Sequence, residues 1–131
     1  MGTVAPPSPV ARGPRSGKWL IFTPPEDHDD VWDKIRAATE LGGLGYAAKA
    51  ATALQGRANR AGALVTCVYT HDYEDHNDVR RVLAALRELG IEGRLSYKSD
   101  EATIQGTYGR GTAIYVSQPG SSDFEDRRRP L

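Results

Sequence analysis

Residues 64–90 read LVTCVYTHDYEDHNDVRRVLAALRELG, and two hydrophobic periodicities meet in them. From Ala63 to Thr70 the chain holds Leu64, Val65, Val68 and Tyr69, which fits a strand. From Val79 onward, Val79, Val82, Leu83, Leu86 and Leu89 recur at helical spacing. Asp75 to Asp78 places carboxylates where a helix start favours negative charge, and Gly90 supplies the residue that tolerates a left-handed stop. Arg80, Arg81 and Arg87 are read as the solvent side of that helix. The stretch is a strand, a capping loop and an amphipathic helix.

The same reading extends outward. Gly17 to Thr23 (GKWLIFT) predicts a strand ended by Pro24-Pro25. Asp29 and Asp30 offer the N-cap of a first helix, whose face is Val31, Ile35 and Ala38 and whose stop is Gly42-Gly43. Tyr46 to Ala53 alternates weakly, and its brevity after glycines favours a strand. Arg94–Lys98 and Thr112–Ser117 supply the last strands, with a turn at Gly106, Gly109 and Gly111 between them. The predicted order is β-α-β-β-α-β-β. Two amphipathic helices each need an apolar surface to cover. A single, mainly antiparallel sheet with both helices on one face provides it, which is an α+β two-layer architecture.

Boundaries follow from composition. Residues 1–16 hold four of the eight prolines and are expected to be a disordered arm. Residues 119–131, with the run Arg127-Arg128-Arg129, read as a disordered, solvated tail, which leaves 17–118 as one α+β domain. Seventeen Lys plus Arg balance seventeen Asp plus Glu, so bulk attraction to nucleic acid or membrane is excluded and any anion site must be local. One cysteine, Cys67, excludes an intramolecular disulfide and a Cys-rich zinc site. With no apolar span and no apolar leader segment, the expected location is the cytoplasm.

Charge is unevenly distributed along the chain. No carboxylate occurs between Glu40 and Asp72, yet Lys49, Arg57 and Arg60 lie there. Lys49 stands among Ala47, Ala48, Ala50 and Ala51. Either those small neighbours open a ligand groove around a long cation, or Lys49 snorkels from a sheet edge into water. In the first case Arg57 and Arg60 are candidate phosphate donors, and Lys98 and Arg110 join them if the sheet brings them alongside. Three charged hydrogen bonds at about 1.5–3 kcal/mol each would reach micromolar affinity. The partners this implies are a phosphorylated peptide, a nucleotide or RNA. His71 and His76 lie among carboxylates without a metal-ligand spacing, so no metal and no cofactor are expected. Cys67 reads as a small buried hydrophobe, and Trp19 and Trp32 read as core.

Three segments carry a resemblance. They are Gly17–Phe22 (GKWLIF), Ala47–Thr52 (AAKAAT), and Val68-Tyr69-Thr70 with the helix from Asp78-Val79 and Leu95–Asp100 (LSYKSD). Together they resemble the basophilic-leukaemia-expressed protein family, also described as phosphothreonine-lyase-domain proteins, over nearly all of 17–118. The family's fold is similar to that of the eukaryotic cap-binding translation initiation factor, a curved sheet backed by helices. The resemblance implies either RNA or nucleotide binding on the basic sheet face or β-elimination of phosphate from phosphothreonine. In such lyases a strand lysine is the base, and Lys49 matches it. The lyases' Lys-x-His stands here as Lys18-Trp19-Leu20, so Leu20 replaces the acid, and His71 or His76 would have to supply it from a loop or the protein would bind without turnover. A domain that only mediates protein interactions is the third class.

Overall fold

In the computed structural model of the chain, residues 15–50, 62–100 and 113–127 are described, together with the backbone of 3–4. The elements are β1 (Thr3–Val4), β2 (Gly17–Thr23), α1 (Pro25–Glu40), β3 (Ala47–Ala50), β4 (Leu64–Thr70), α2 (His76–Glu88), β5 (Leu95–Ser99), β6 (Tyr115–Ser117) and β7 (Glu125–Asp126). The strands form one sheet in the order β1-β3-β4-β2-β5-β6-β7. Every neighbouring pair is antiparallel.

Alternation along the strands sorts their side chains onto two faces. Trp19, Ile21, Ala48, Ala50, Val68, Leu95, Tyr97 and Tyr115 share one face. They pack in a single core cluster with Trp32 and Ile35 of α1 and Val79, Val82, Leu83 and Leu86 of α2. Both helices therefore cover the same face, and the α+β two-layer expectation holds. Trp19 is fully buried, and its indole N–H donates to the Val79 carbonyl at 3.2 Å. The Tyr97 ring meets Trp19 edge-on at 5.3 Å between centroids. Gly17 is required beside it, because a Cβ there would lie 2.5 Å from the Tyr97 ring.

The helix ends obey local chemistry. α1 begins at Pro25, earlier than Asp29 and Asp30 suggested, with Pro24 at the N-cap. Proline is well suited to the first helical position, since its missing N–H would have no partner there and its φ is already helical. Asp29 and Asp30 lie inside the helix rather than capping it. At its other end Gly42 adopts φ +80°, and the Gly42 and Gly43 amides donate to the Thr39 and Ala38 carbonyls. α2 is capped by Asp75, whose side chain accepts from the Asp78 amide. It stops at Gly90 (φ +92°), where the Ile91 amide donates to the Leu86 carbonyl.

Three expectations are corrected. Thr3 and Val4 form an edge strand on β3 within the segment read as a disordered arm. Glu125 and Asp126, within the segment read as a disordered tail, return to the sheet as β7. Phe124 packs against the core, and Asp123 accepts from Arg80 Nε at 3.1 Å. Arg87 is buried rather than solvent-facing. It follows Leu86 on the rim of the apolar face, and its stem carries the guanidinium under the loops that follow α2 and β6. There it donates to the carbonyls of Ser121, Ile91, Gly93 and Gln118 and to Ser117 Oγ. Burial pulls its pKa down from the usual arginine value. No helix among the described residues is long and apolar enough to cross a membrane.

Candidate ligand-binding face

The strand registers define the face that the helices leave. Lys49 lies opposite Cys67, Cys67 opposite Leu20, and Leu20 opposite Ser96. In the adjoining row Ala47 lies opposite Tyr69, Tyr69 opposite Lys18, and Lys18 opposite Lys98. Residues directly opposite in antiparallel strands project to the same side. Lys18, Lys49 and Lys98 thus share the helix-free face, with Leu20, Cys67 and Tyr69 between them. The alternation that drives Trp19 and Tyr97 toward the helices is what places Lys18, Leu20 and Lys98 on the opposite side of the sheet.

Their environments differ. Lys49 is exposed, whereas Lys18 and Lys98 are 4% and 6% exposed. Lys18 Nζ forms an ion pair with Asp100 Oδ1 at 3.0 Å, both side chains being buried. Asp100 is positioned at the end of β5 by its amide, which donates to the Ser16 carbonyl. Lys18 Nζ also lies 5.7 Å from the centre of the Tyr69 ring. Lys98 is pushed below the ordinary lysine range, first by burial and second by the charge of Lys18 across the strand. Cys67 sits at the centre. Burial raises its thiol pKa to about 11, while the charges of Lys18 and Lys49 and a hydrogen bond with Tyr69 act in the opposite direction. At neutral pH the group is therefore a thiol. It also marks the point where the fields of Lys18 and Lys49 overlap.

Of the candidate residues, the fold brings Lys49 and Lys98 onto one face. His71 goes elsewhere. It lies beyond the end of β4, with Nδ1 3.6 Å from Asp78 Oδ2 and Nε2 4.0 Å from Asp75 Oδ2, at the start of α2. Leu20 occupies the row of Lys49 and carries no ionisable group. Arg57, Arg60 and Arg110 lie outside the described residues. Sequence reasoning missed Asp100 and Tyr69 and gave Lys18 no role in holding ligand. The signal was present in Lys18-Trp19 and Tyr97-Lys98, each a cation beside an aromatic of opposite parity. Among the described residues no group of three or more His, Cys, Asp or Glu side chains is placed to hold a metal ion. A cavity of about 170 Å³ lies at the far edge of the sheet, between Val116, Gln118, Phe124 and Glu125, away from the lysines.

Residues 10–104 match the family model of the basophilic leukemia-expressed protein Bles03. The chain belongs to this family. The matched span contains β2 to β5 and both helices, and with them Lys18, Lys49, Cys67, Lys98 and Asp100. β6, β7 and the Arg87-bound turn at 117–121 lie beyond it.

Proposed function

We propose that this domain binds a phosphorylated ligand on the helix-free face of its sheet, with Lys18, Lys49 and Lys98 supplying the positive field. One observation carries the reading. Lys18 and Lys98 are direct cross-strand neighbours, and both are buried. Like charges in that relation cost stability, and a buried ammonium adds a desolvation cost. Such an arrangement is sustained where function requires it, and positively charged neighbours on a shared face are suited to an anion. Asp100 pairs with Lys18 at 3.0 Å, and three lysines gathered on one face give a field suited to a dianionic phosphate. Cys67, Leu20 and the Tyr69 ring give the lysines a weakly hydrated floor, where each charged hydrogen bond is stronger than in water.

A second reading, β-elimination, is favoured by the lowered pKa of Lys98, since a neutral amine is what proton abstraction needs. The base would take the α-proton of phosphothreonine, the Cα–H electron pair would form a Cα=Cβ double bond, the Cβ–O bond would break, and phosphate would leave with that bond's electron pair. Leu20 offers that leaving group no proton, and His71 is held at α2. Binding without turnover is therefore the function the geometry supports best.

The test is calorimetric titration of a phosphothreonine peptide into the wild type, Lys49→Ala and Lys98→Met. Micromolar binding that weakens about tenfold or more in each variant supports the proposal. Equal binding by all three, or none, overturns it. Loss of phosphoric acid from the peptide, read in the same samples by mass spectrometry, would replace binding with elimination.

A further inference from the structure

The outer edge of β3 carries a second observation. β1 pairs there antiparallel, with Thr3 in register with Lys49 and Val4 with Ala48. β1 is two residues long, while β3 spans four. The chain's own amino-terminal backbone thus lies at the sheet edge directly beside the exposed lysine of the proposed site.

Resting on the reading above, we infer that the ligand is a phosphorylated peptide in extended form, which adds to β3 as an antiparallel strand in the place of Thr3–Val4. Three features lead there. First, an edge strand offers a row of N–H and C=O groups, and extended peptides use such a row for affinity while side-chain sites supply specificity. Second, Lys49 is exposed between buried Ala48 and Ala50, so a residue added in its register comes within about 5 Å of it, Cα to Cα. From that position its phosphate points along the row toward Cys67, with Lys18 diagonally adjacent. Third, β1 is only two residues long and makes few ladder hydrogen bonds, and such short pairings belong to the least stable part of a fold, so its displacement costs little. β1 then acts as an internal competitor. A nucleotide or RNA could use the lysines but has no peptide backbone to pair with β3.

The test keeps the full-length chain. Thr3→Pro with Val4→Pro removes both amide donors of β1 and leaves β3 and the lysines untouched. Four probes are titrated: a peptide with central phosphothreonine, its unphosphorylated form, free O-phosphothreonine, and a short RNA. The phosphopeptide should bind the double-proline chain several-fold more tightly, up to about tenfold, because an intramolecular competitor has been removed. O-phosphothreonine should bind both chains equally. Amides of β3 should exchange faster in the double-proline chain and regain protection when the phosphopeptide is added. Phosphopeptide binding that is no tighter than O-phosphothreonine and indifferent to the double proline would overturn strand addition and leave the anion site standing. Lys49-dependent RNA binding indifferent to the double proline would overturn it in favour of nucleic acid. If no phosphate compound binds in a lysine-dependent way, the proposed function itself fails.

Discussion

Cys67 converts the electrostatics of the sheet face into a measurable pH dependence. Its thiol pKa is raised from 9.0 to about 11 in the folded chain, chiefly by burial. Between those two values the unfolded chain has released the proton and the folded chain still holds it. The folded state then binds more protons, so stability falls as pH rises. At about 1.4 kcal/mol per pH unit the loss begins near pH 9 and reaches roughly 3 kcal/mol by pH 11. Two other groups titrate in this range. Lys98, lowered from 10.5, adds stability as pH climbs toward that value, and Tyr97, raised from 10.0, subtracts it above pH 10. The difference between the wild type and Cys67→Ala removes both, because both are present in each protein. Urea unfolding of the pair at half-unit steps from pH 7 to 11 is the assay. The loss of sulfur contributes a constant offset of about 1 kcal/mol. The wild-type advantage should be flat below pH 9, then shrink by roughly 3 kcal/mol and reverse sign. A difference independent of pH would show that the thiol is not desolvated between the lysines, and the description of the face would be wrong.

Arg87→Met should cost about 3 kcal/mol or more in urea unfolding, since it removes the charged donor shared by four loop carbonyls and Ser117 Oγ, and Arg87→Lys should recover only part of it. Gly17→Ala should destabilise by about 1–3 kcal/mol by driving a methyl group into the Tyr97 ring, with a loss of near-ultraviolet circular dichroism that exceeds any change in the far ultraviolet. Asp75→Ala should cost about 1 kcal/mol through loss of the cap on the Asp78 amide, and Asp75→Asn should restore most of it.

The layers were legible in the sequence because period 2 and period 3.6 are sharp in 64–90 and 17–23, and because Gly42 and Gly90 supply left-handed stops that only local chemistry requires. The start of α1 was not. Two prolines read as the end of a strand, and their fitness for the first helical turn outweighed the caps offered by Asp29 and Asp30. Arg87 was misplaced because a cation beside an apolar helix face reads as solvated, while its partners are carbonyls from loops distant in sequence, such as Ser121. The ordered tail was hidden for the same reason: Phe124 and Asp123 count as isolated residues until α2 presents Arg80 to them. On the sheet face, the identity of Lys49 and Lys98 was readable. Their neighbours were set by strand order, which places Lys18 between them and carries Asp100 to its side. No local pattern encodes that order.

The central claim is that the cross-strand, buried Lys18 and Lys98 and the exposed Lys49 bind an anion together on this face. Lysine side-chain NMR, following the Cε resonances from pH 7 to 11 with assignment by Lys98→Met and Lys49→Ala, tests it most directly. Lys98 should titrate below the ordinary lysine range and move upward when a phosphothreonine peptide is added, because a bound dianion favours its charged form. If the Lys98 resonance titrates with the exposed lysines, or is indifferent to the peptide, the account is contradicted.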